Sequence, residues 1–440
     1  MNTYFKIVRF IKNYIKRKQK NNSFIYDRKI RSTYMQEQKL NRFNKIFPWF
    51  SGLSSDLLFW VAIDTLFLTV VKNLTASQIV FLTSVSLLVS IFLQIPLLTI
   101  IQKIGNTKSV RIGSFLLLIS SILLTFGTNY ITIALGKILY EVAFTLQNMI
   151  NVILKNNLQL QNKEEEYIKF RTSANTIYAI VTMLISFIAS FMFNINHYLP
   201  MIGCILFCFI CFILSFSMVD YSNNDYSKNE STHKNNNPKK VKYSKVVLFI
   251  IISYGLFYPI VNSGQSNGKL FIQQELLKNF SIEKTAVIIG IILCISRIVR
   301  VISNVLFHKI TKKYQNKVGF LLPILLFTSL LFMIIGYLIS FSIAFKIILM
   351  GFGYSIILFI RDPFKVYIQD LILRKAEKGQ HQALLTILDL SRKIVRTIMS
   401  LIFTVILTNN PMILVMVILI VLSFLEIIIS LHLYKILQIS

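Results

Sequence analysis

The sequence predicts an all-α membrane protein of twelve spanning helices arranged as two related six-helix bundles. The expectation rests on the number and length of the apolar runs, the side on which basic residues fall, and an order of elements that returns at a fixed interval. The 440 residues are 55% hydrophobic and only 15% charged, and a soluble domain of this size cannot hide apolar sequence gathered into such long runs. The runs 46–70, 76–101, 110–128, 131–155, 172–193, 198–218, 244–266, 284–307, 317–338, 342–362, 382–407 and 411–434 each reach the length of roughly 20 residues that crosses a hydrocarbon core.

The formal charge is +29, which by itself would suggest nucleic acid as a partner. The basic residues instead fall in alternate connections. Lys103, Lys108, Lys155, Lys163, Lys169, Lys239, Lys240, Lys242, Lys312, Lys313, Arg374, Lys375 and Lys378 lie on one side, and little beyond Lys72, Lys269, Lys278 and Lys346 on the other. That asymmetry marks cytoplasmic loops, so both termini are expected in the cytoplasm and no nucleic-acid partner is called for. The expected setting is a bacterial plasma membrane, crossed many times by a monomer.

Thr75-Ala76-Ser77-Gln78 reads as a capping box, in which the Thr75 hydroxyl and the Gln78 side chain satisfy amides that the first turn leaves unpaired. The helix then runs apolar to Ile101 and ends in Gln102-Lys103-Ile104-Gly105. Ser281, Lys309-Ile310 and Lys317-Val318-Gly319 each follow Thr75, Lys103-Ile104 and Arg111-Ile112-Gly113 by 206 residues. A shared interval across a cap, a turn and the next helix start indicates an internal repeat.

The segment Leu98 to Asn106 resembles the loop between helices 2 and 3 of the major facilitator superfamily, whose pattern is Gly-x-x-x-Asp-Arg/Lys-x-Gly-Arg/Lys. Lys103 and Gly105 match it, while Leu98, Gln102 and Asn106 replace the first glycine, the aspartate and the last basic residue. In the second copy, Asn304 to Lys312, Lys309 and Lys312 are kept, with His308 for the aspartate and Thr311 for the glycine. The resemblance implies secondary transport of a small solute by alternating access. It also implies that the third, sixth and ninth spans face lipid, and that the first, fourth, eighth and eleventh line a cavity or the bundle interface. Lys103, Gly105 and Lys309, together with the clusters Arg361-Asp362-Pro363 and Asp389, Arg392 and Lys393, resemble the family's gating elements. In the twelfth span, Glu426 sits where the family faces lipid.

The implied domains are a basic amphipathic segment 1–45, a bundle 46–218, a polar linker 219–243 and a bundle 244–440. In the first segment Tyr4, Ile7, Val8, Ile11, Tyr14 and Ile15 recur at helical spacing between basic residues. This pattern suits an interfacial helix on the anionic inner leaflet as well as an ordinary positive-inside tail. The linker's Asn, Ser and Lys are too polar to pack.

Ionisable residues at membrane depth are the main functional signal, since lipid tolerates them only beside a cavity or a partner. Arg297, about 21 Å along its helix from Glu283, and Arg300 have no carboxylate within a turn. They are expected to meet Asp56 or Glu141 across helices, or a substrate anion. Lys137 and Glu141, four apart, can pair on one face. Asp56, Asp64 and Glu141 are the candidate proton carriers, and Asp64 is expected to lie desolvated unless a cation is close. The seventh span is expected to break around Pro259, Gly264 and Gly268, exposing Asn262, Gln265 and Asn267 to a polar substrate, with Trp60 available to stack on it. Arg396 completes the substrate candidates.

Cys204, Cys208, Cys211 and Cys294 read as apolar packing without a metal, and no cofactor motif is present. A drug or lipid exporter is the alternative within transport. A polytopic transferase on lipid-linked substrates is the alternative enzyme; such an enzyme should show a carboxylate or nucleophile cluster in an extramembrane loop, whereas the loops here are short and mainly basic. A scaffold would not require mid-bilayer cations.

Overall fold

The computed structural model describes residues 36–221, 245–314, 317–339, 342–375 and 381–439. The amphipathic segment of residues 1–20, most of the linker and the Lys309 side chain lie outside the described residues.

The chain is helical throughout these residues. The first pass is α1 (36–53) and α2 (Leu58–Leu66), closed by a π turn at Phe67–Val71. It is followed by α3 (Ala76–Ile104), α4 (Asn106–Phe126), α5 (Tyr130–Gln147) and α6 (Ile150–Leu160), which together make one pass, and then α7 (Tyr167–Ile195) and α8 (Leu199–Ser215). The second half comprises α9 (Lys245–Asn279), α10 (Ile282–Tyr314), α11 (Val318–Leu338), α12 (Ile343–Lys375), α13 (His381–Asn409) and α14 (Met412–Ile439). Among the described residues nine helices are long and apolar enough to cross a membrane by themselves. The other three passes differ for visible reasons: α8 has 17 residues, α5 and α6 are split, and α13 carries Asp389, Arg392, Lys393 and Arg396.

The expected capping box forms at the start of α3, with Gln78 N–H donating to the Thr75 hydroxyl and Thr75 N–H to the Gln78 side chain. The turn at its far end requires Gly105, whose φ of 83° is a region that side-chained residues avoid. Asn106 next to it donates to Asp220 at 2.9 Å, and Asp220 N–H donates to the Thr107 hydroxyl. The end of the sixth pass therefore fastens the degenerate loop.

Two breaks fall elsewhere than the sequence suggests. The seventh pass, expected to be interrupted, is the continuous 35-residue α9. Its glycines serve packing: a Cβ on Gly268 would come within 2.9 Å of Met333, and one on Gly264 within 3.3 Å of Ile357. The interruption is in the first pass, where Ser54, Ser55 and Asp56 offer the backbone side-chain partners that compete with helical ones. The fourth pass, expected to be one helix over 131–155, bends at Asn148 and Met149 and continues to Leu160.

Within the first half α4 packs on α5 and α8, α3 on α5, and α2 on α7 and α8; within the second α9 touches α12, α13 and α14. The halves meet mainly along two seams, α7 on α10 and α3 on α13, with smaller contacts of α2 on α9 and α10. The first is close because Ser190 occupies the space beside Gly290, the small-residue contact by which membrane helices approach. The second is polar, with Ser84 bonded to Ser400 at 2.7 Å and Ser77 donating to the Thr404 carbonyl at 3.0 Å. Exposed Phe115, Ile122 and Phe126 on α4, Leu206, Phe209 and Ile213 on α8, and Leu325 and Leu338 on α11 form the apolar outside expected of the third, sixth and ninth passes.

Lys72 ends the first pass. Its ammonium donates to the Thr125 carbonyl at 2.7 Å and the Gly127 carbonyl at 2.8 Å, and it lies over the Phe67 and Tyr198 rings. It thus satisfies carbonyls that the end of α4 leaves unpaired. Lys72→Met, which keeps the apolar stem, is expected to lower stability by about 2 kcal/mol through loss of these charge-assisted bonds, measured as a lower thermal midpoint of the purified protein.

Candidate functional site

The polar residues at mid-depth come together around the break between α1 and α2. Asp56 Oδ1 accepts from Leu57 N–H at 2.8 Å and from the Tyr140 hydroxyl at 2.6 Å, and Oδ2 accepts from Tyr178 at 3.5 Å. The carboxylate thus stands at the amino-terminal end of α2. The Tyr178 ring in turn lies 5.8 Å from the Arg300 guanidinium. Arg300 holds Asp362 with two bonds, Nε at 2.6 Å and Nη2 at 3.1 Å, and Asn304 adds a third at 3.3 Å. A connected path therefore runs from α2 through α5 and α7 to α10 and α12.

The structure corrects several pairings. Arg300 takes Asp362 of its own half, and neither Asp56 nor Glu141 bonds to it or to Arg297. Asp362 and Arg361 are neighbours in the interior of α12, about 27 Å from its start at 1.5 Å per residue, and the helix continues past them to Lys375. Adjacent residues on a helix point about 100° apart, so Arg361 turns to Gln265 on α9, donating Nη1 to Oε1 at 2.8 Å. On α13, Asp389 pairs with Arg392 at 3.0 Å, and Lys393, the third member of that cluster, donates to Ser90 on α3 at 3.4 Å. Lys137 does not bond to Glu141; its ammonium lies 4.2 Å from the Tyr140 ring centre and 6.0 Å from that of the buried Trp60. Lys before Glu is the less favourable order, and the π faces supply an alternative. Glu141 instead shares its electrostatic surroundings with Lys393 and Arg396.

Asp64 is not an isolated carboxylate. Lys269, read from the sequence as lying near a loop, is inside α9 and only 6% exposed. Its ammonium bonds Asp64 at 2.5 Å and the Val61 carbonyl at 2.9 Å. One turn on, Gln273 donates to the Thr69 hydroxyl at 2.5 Å. These contacts bring the ends of α2 and α9 together, so the connections at Thr75 and Ser281 lie at one end of the molecule.

Arg297 is 2% exposed, and its Nε and Nη1 have no hydrogen-bond partner. Asn262 and Asn267 are buried in α9 and take no part in the bonds above. Lys103 is exposed at the end of α3, away from this cluster. Glu426, buried in α14, accepts from Ser253 on α9 at 2.6 Å and from Ser430 at 2.8 Å, which explains a carboxyl on a helix whose other faces are apolar. Cys204, Cys208 and Cys211 lie buried along one face of α8.

The tyrosines were the unforeseen members. Tyr140 and Tyr178 hold Asp56, while Tyr258 stacks on Tyr254 and lies 5.2 Å from Arg392. A tyrosine in an apolar run carries no distinctive spacing; only the helix break at Asp56, opposite them, could have pointed to them.

The family model of the Major Facilitator Superfamily matches residues 48–388. The chain belongs to this superfamily. Its fold is also that of solved facilitator-type transporters. A point mutant of nucleoside transporter NupG aligns with 89% of this chain and 99% of its own at a TM-score of 0.69 and 13% identity. NupG itself gives 0.68 and 14% over the same shares. A bacterial homologue of iron transporter ferroportin in an inward-facing state gives 0.61 and 13%, over 89% of this chain and 98% of its own. No curated protein sequence matches the chain.

In this facilitator fold the Arg300 and Asp362 pair invites a direct test. Asp362→Asn leaves a half-buried guanidinium without its counter-charge and is expected to cost about 3 kcal/mol. The double variant Arg300→Gln with Asp362→Asn removes both charges and is expected to recover most of that loss, read as the unfolding midpoint of each protein in detergent.

Proposed function

We propose that the protein moves a small polar solute across a bacterial plasma membrane by alternating access, driven by the proton gradient, with both termini in the cytoplasm. The observation that carries this reading is the distribution of bonds between the halves. Asp64 with Lys269, Thr69 with Gln273, Ser77 with Thr404 and Ser84 with Ser400 all lie between the Thr75 end and mid-depth. Among the described residues no hydrogen bond is seen joining the halves deeper than Ser90 and Lys393. The basic loops put the Thr75 end outside, so this arrangement is closed to the exterior and faces the cytoplasm.

The closing contacts are few. A neutral hydrogen bond adds about 1 kcal/mol net and a charged one up to about 3 kcal/mol, so rocking the halves apart lies within what solute binding can offset. Asp56 and Glu141 are placed to carry the proton. Asp56 touches both the first-half tyrosines and, through Tyr178, the arginine system of the second half. Glu141 lies within electrostatic range of Lys393 and Arg396, so a proton gained there would weaken its hold on both cations. The amide of Gln265 adds a polar group beside Arg361. The nucleoside transporter structures are compatible with a small polar solute.

Double electron–electron resonance between spin labels at Ser77→Cys and Thr404→Cys, with the four native cysteines replaced, tests the cycle. Two distance populations are expected, a short one for the present arrangement and a longer one that grows when the interhalf bond is cut by Lys269→Ala. A single short distance in every condition would remove alternating access.

A further inference from the structure

We propose that Glu426 is a proton-binding site separate from the central acids Asp56 and Glu141, and that it fastens α9 to α14 as a neutral carboxylic acid. It lies about 21 Å along α14 at 1.5 Å per residue, near the middle of that helix. Phe424, Leu425 and Ile428 beside it are exposed on the apolar outside, whereas Glu426 is fully buried and turned toward α9.

Its two oxygens are bonded unequally. Oε1 accepts from the Ser253 hydroxyl of α9 at 2.6 Å and from the Ser430 hydroxyl one turn on at 2.8 Å, and the two hydroxyls stand 3.4 Å apart. Oε2 is buried and has no partner. An ionised carboxylate divides its charge equally between its oxygens, so both need donors, and a buried one needs a cation as well. In a neutral acid the carbonyl oxygen is the good acceptor and the hydroxyl oxygen a poor one. Two donors on one oxygen and none on the other therefore fit the acid. The O–H left without an acceptor costs much less than an unpaired charge at this depth.

No cation answers the group. Among the described residues Glu426 forms no ion pair, and α11, which packs along α14, carries no charged residue. On α13, Arg392 is paired with Asp389, Lys393 bonds to Ser90, and Arg396 lies within electrostatic range of Glu141. On α9, Tyr254 next to Ser253 is stacked on Tyr258. On α14 itself, the His432 ring lies 4.9 Å from that of Phe249, and Lys435 follows more than two turns on. The bond to Ser253 matters because α9 also reaches the first half, through Lys269 and Gln273. A single proton thus anchors to its own bundle the helix that holds the other one.

Infrared spectroscopy of the full chain in a maltoside detergent, which has no ester carbonyl, reads the proton directly. The carbonyl band of a neutral carboxyl is separate from the carboxylate and amide bands. A neutral-carboxyl band is expected at neutral and mildly alkaline pH, moving to lower frequency when the protein is made with isotope-labelled glutamate. It is expected to be lost in Glu426→Gln, whose amide oxygen still accepts from both serines. Ser253→Ala and Ser430→Ala each remove one bond to the carbonyl oxygen and are expected to shift the band to higher frequency. A difference spectrum between the parent and Glu426→Gln that shows carboxylate bands in place of the neutral band would overturn the proposal. So would a glutamate band that neither serine variant moves. The isotope and serine arms keep Glu426 in place, so the outcome stands even where Glu426→Gln fails to fold.

Discussion

Most charges at hydrocarbon depth among the described residues are answered by another group, and the architecture follows from that constraint. Lipid cannot hydrate a guanidinium or a carboxylate, so each must find a counter-charge, a π face or a row of hydrogen-bond partners. Arg300 finds Asp362, Asp64 finds Lys269, Lys137 finds the Tyr140 ring and Glu426 finds two serine hydroxyls. All four contacts join different helices or turn an ionisable group away from lipid, so meeting the electrostatic demand also sets which faces of the helices point inward.

At the seams between the halves, small and hydroxyl-bearing residues are added to the apolar packing. Broad apolar contact holds the helices, with buried residues such as Leu66, Ile185, Phe257 and Leu330 forming an interior that continues through both halves. Between the halves, the α3 and α13 seam is a ladder of serine and threonine hydroxyls, and the α7 and α10 seam is a close approach at Gly290. Hydroxyls can exchange partners at little cost, whereas interdigitated aromatic side chains cannot slide without opening voids. Rigid bundles joined by exchangeable bonds are what a rocking motion needs. The same division explains why the break in the first pass sits at Asp56. It places an unwound, polar piece of backbone where the two halves face each other, and there Tyr140 and Tyr178 can hold it.

The sequence by itself determined the helical class, the number of passes, the capped start of α3, the glycine turn at Gly105 and the identity of most of the central charges. These features are local: apolar run length, a cap four residues long and the cost of burying an ionisable group can be read along one stretch of chain. Tertiary structure alone decided who pairs with whom. Lys137 and Glu141 are four residues apart and do not bond, whereas Asp64 and Lys269 are 205 apart and do. Such pairings depend on which helix faces meet, and the repeat interval does not encode them. The break expected in α9 is absent for the same reason, since Gly264 and Gly268 are absorbed by Ile357 and Met333 on neighbouring helices. Whether glycine bends a helix or lets another helix approach is settled by what packs against it.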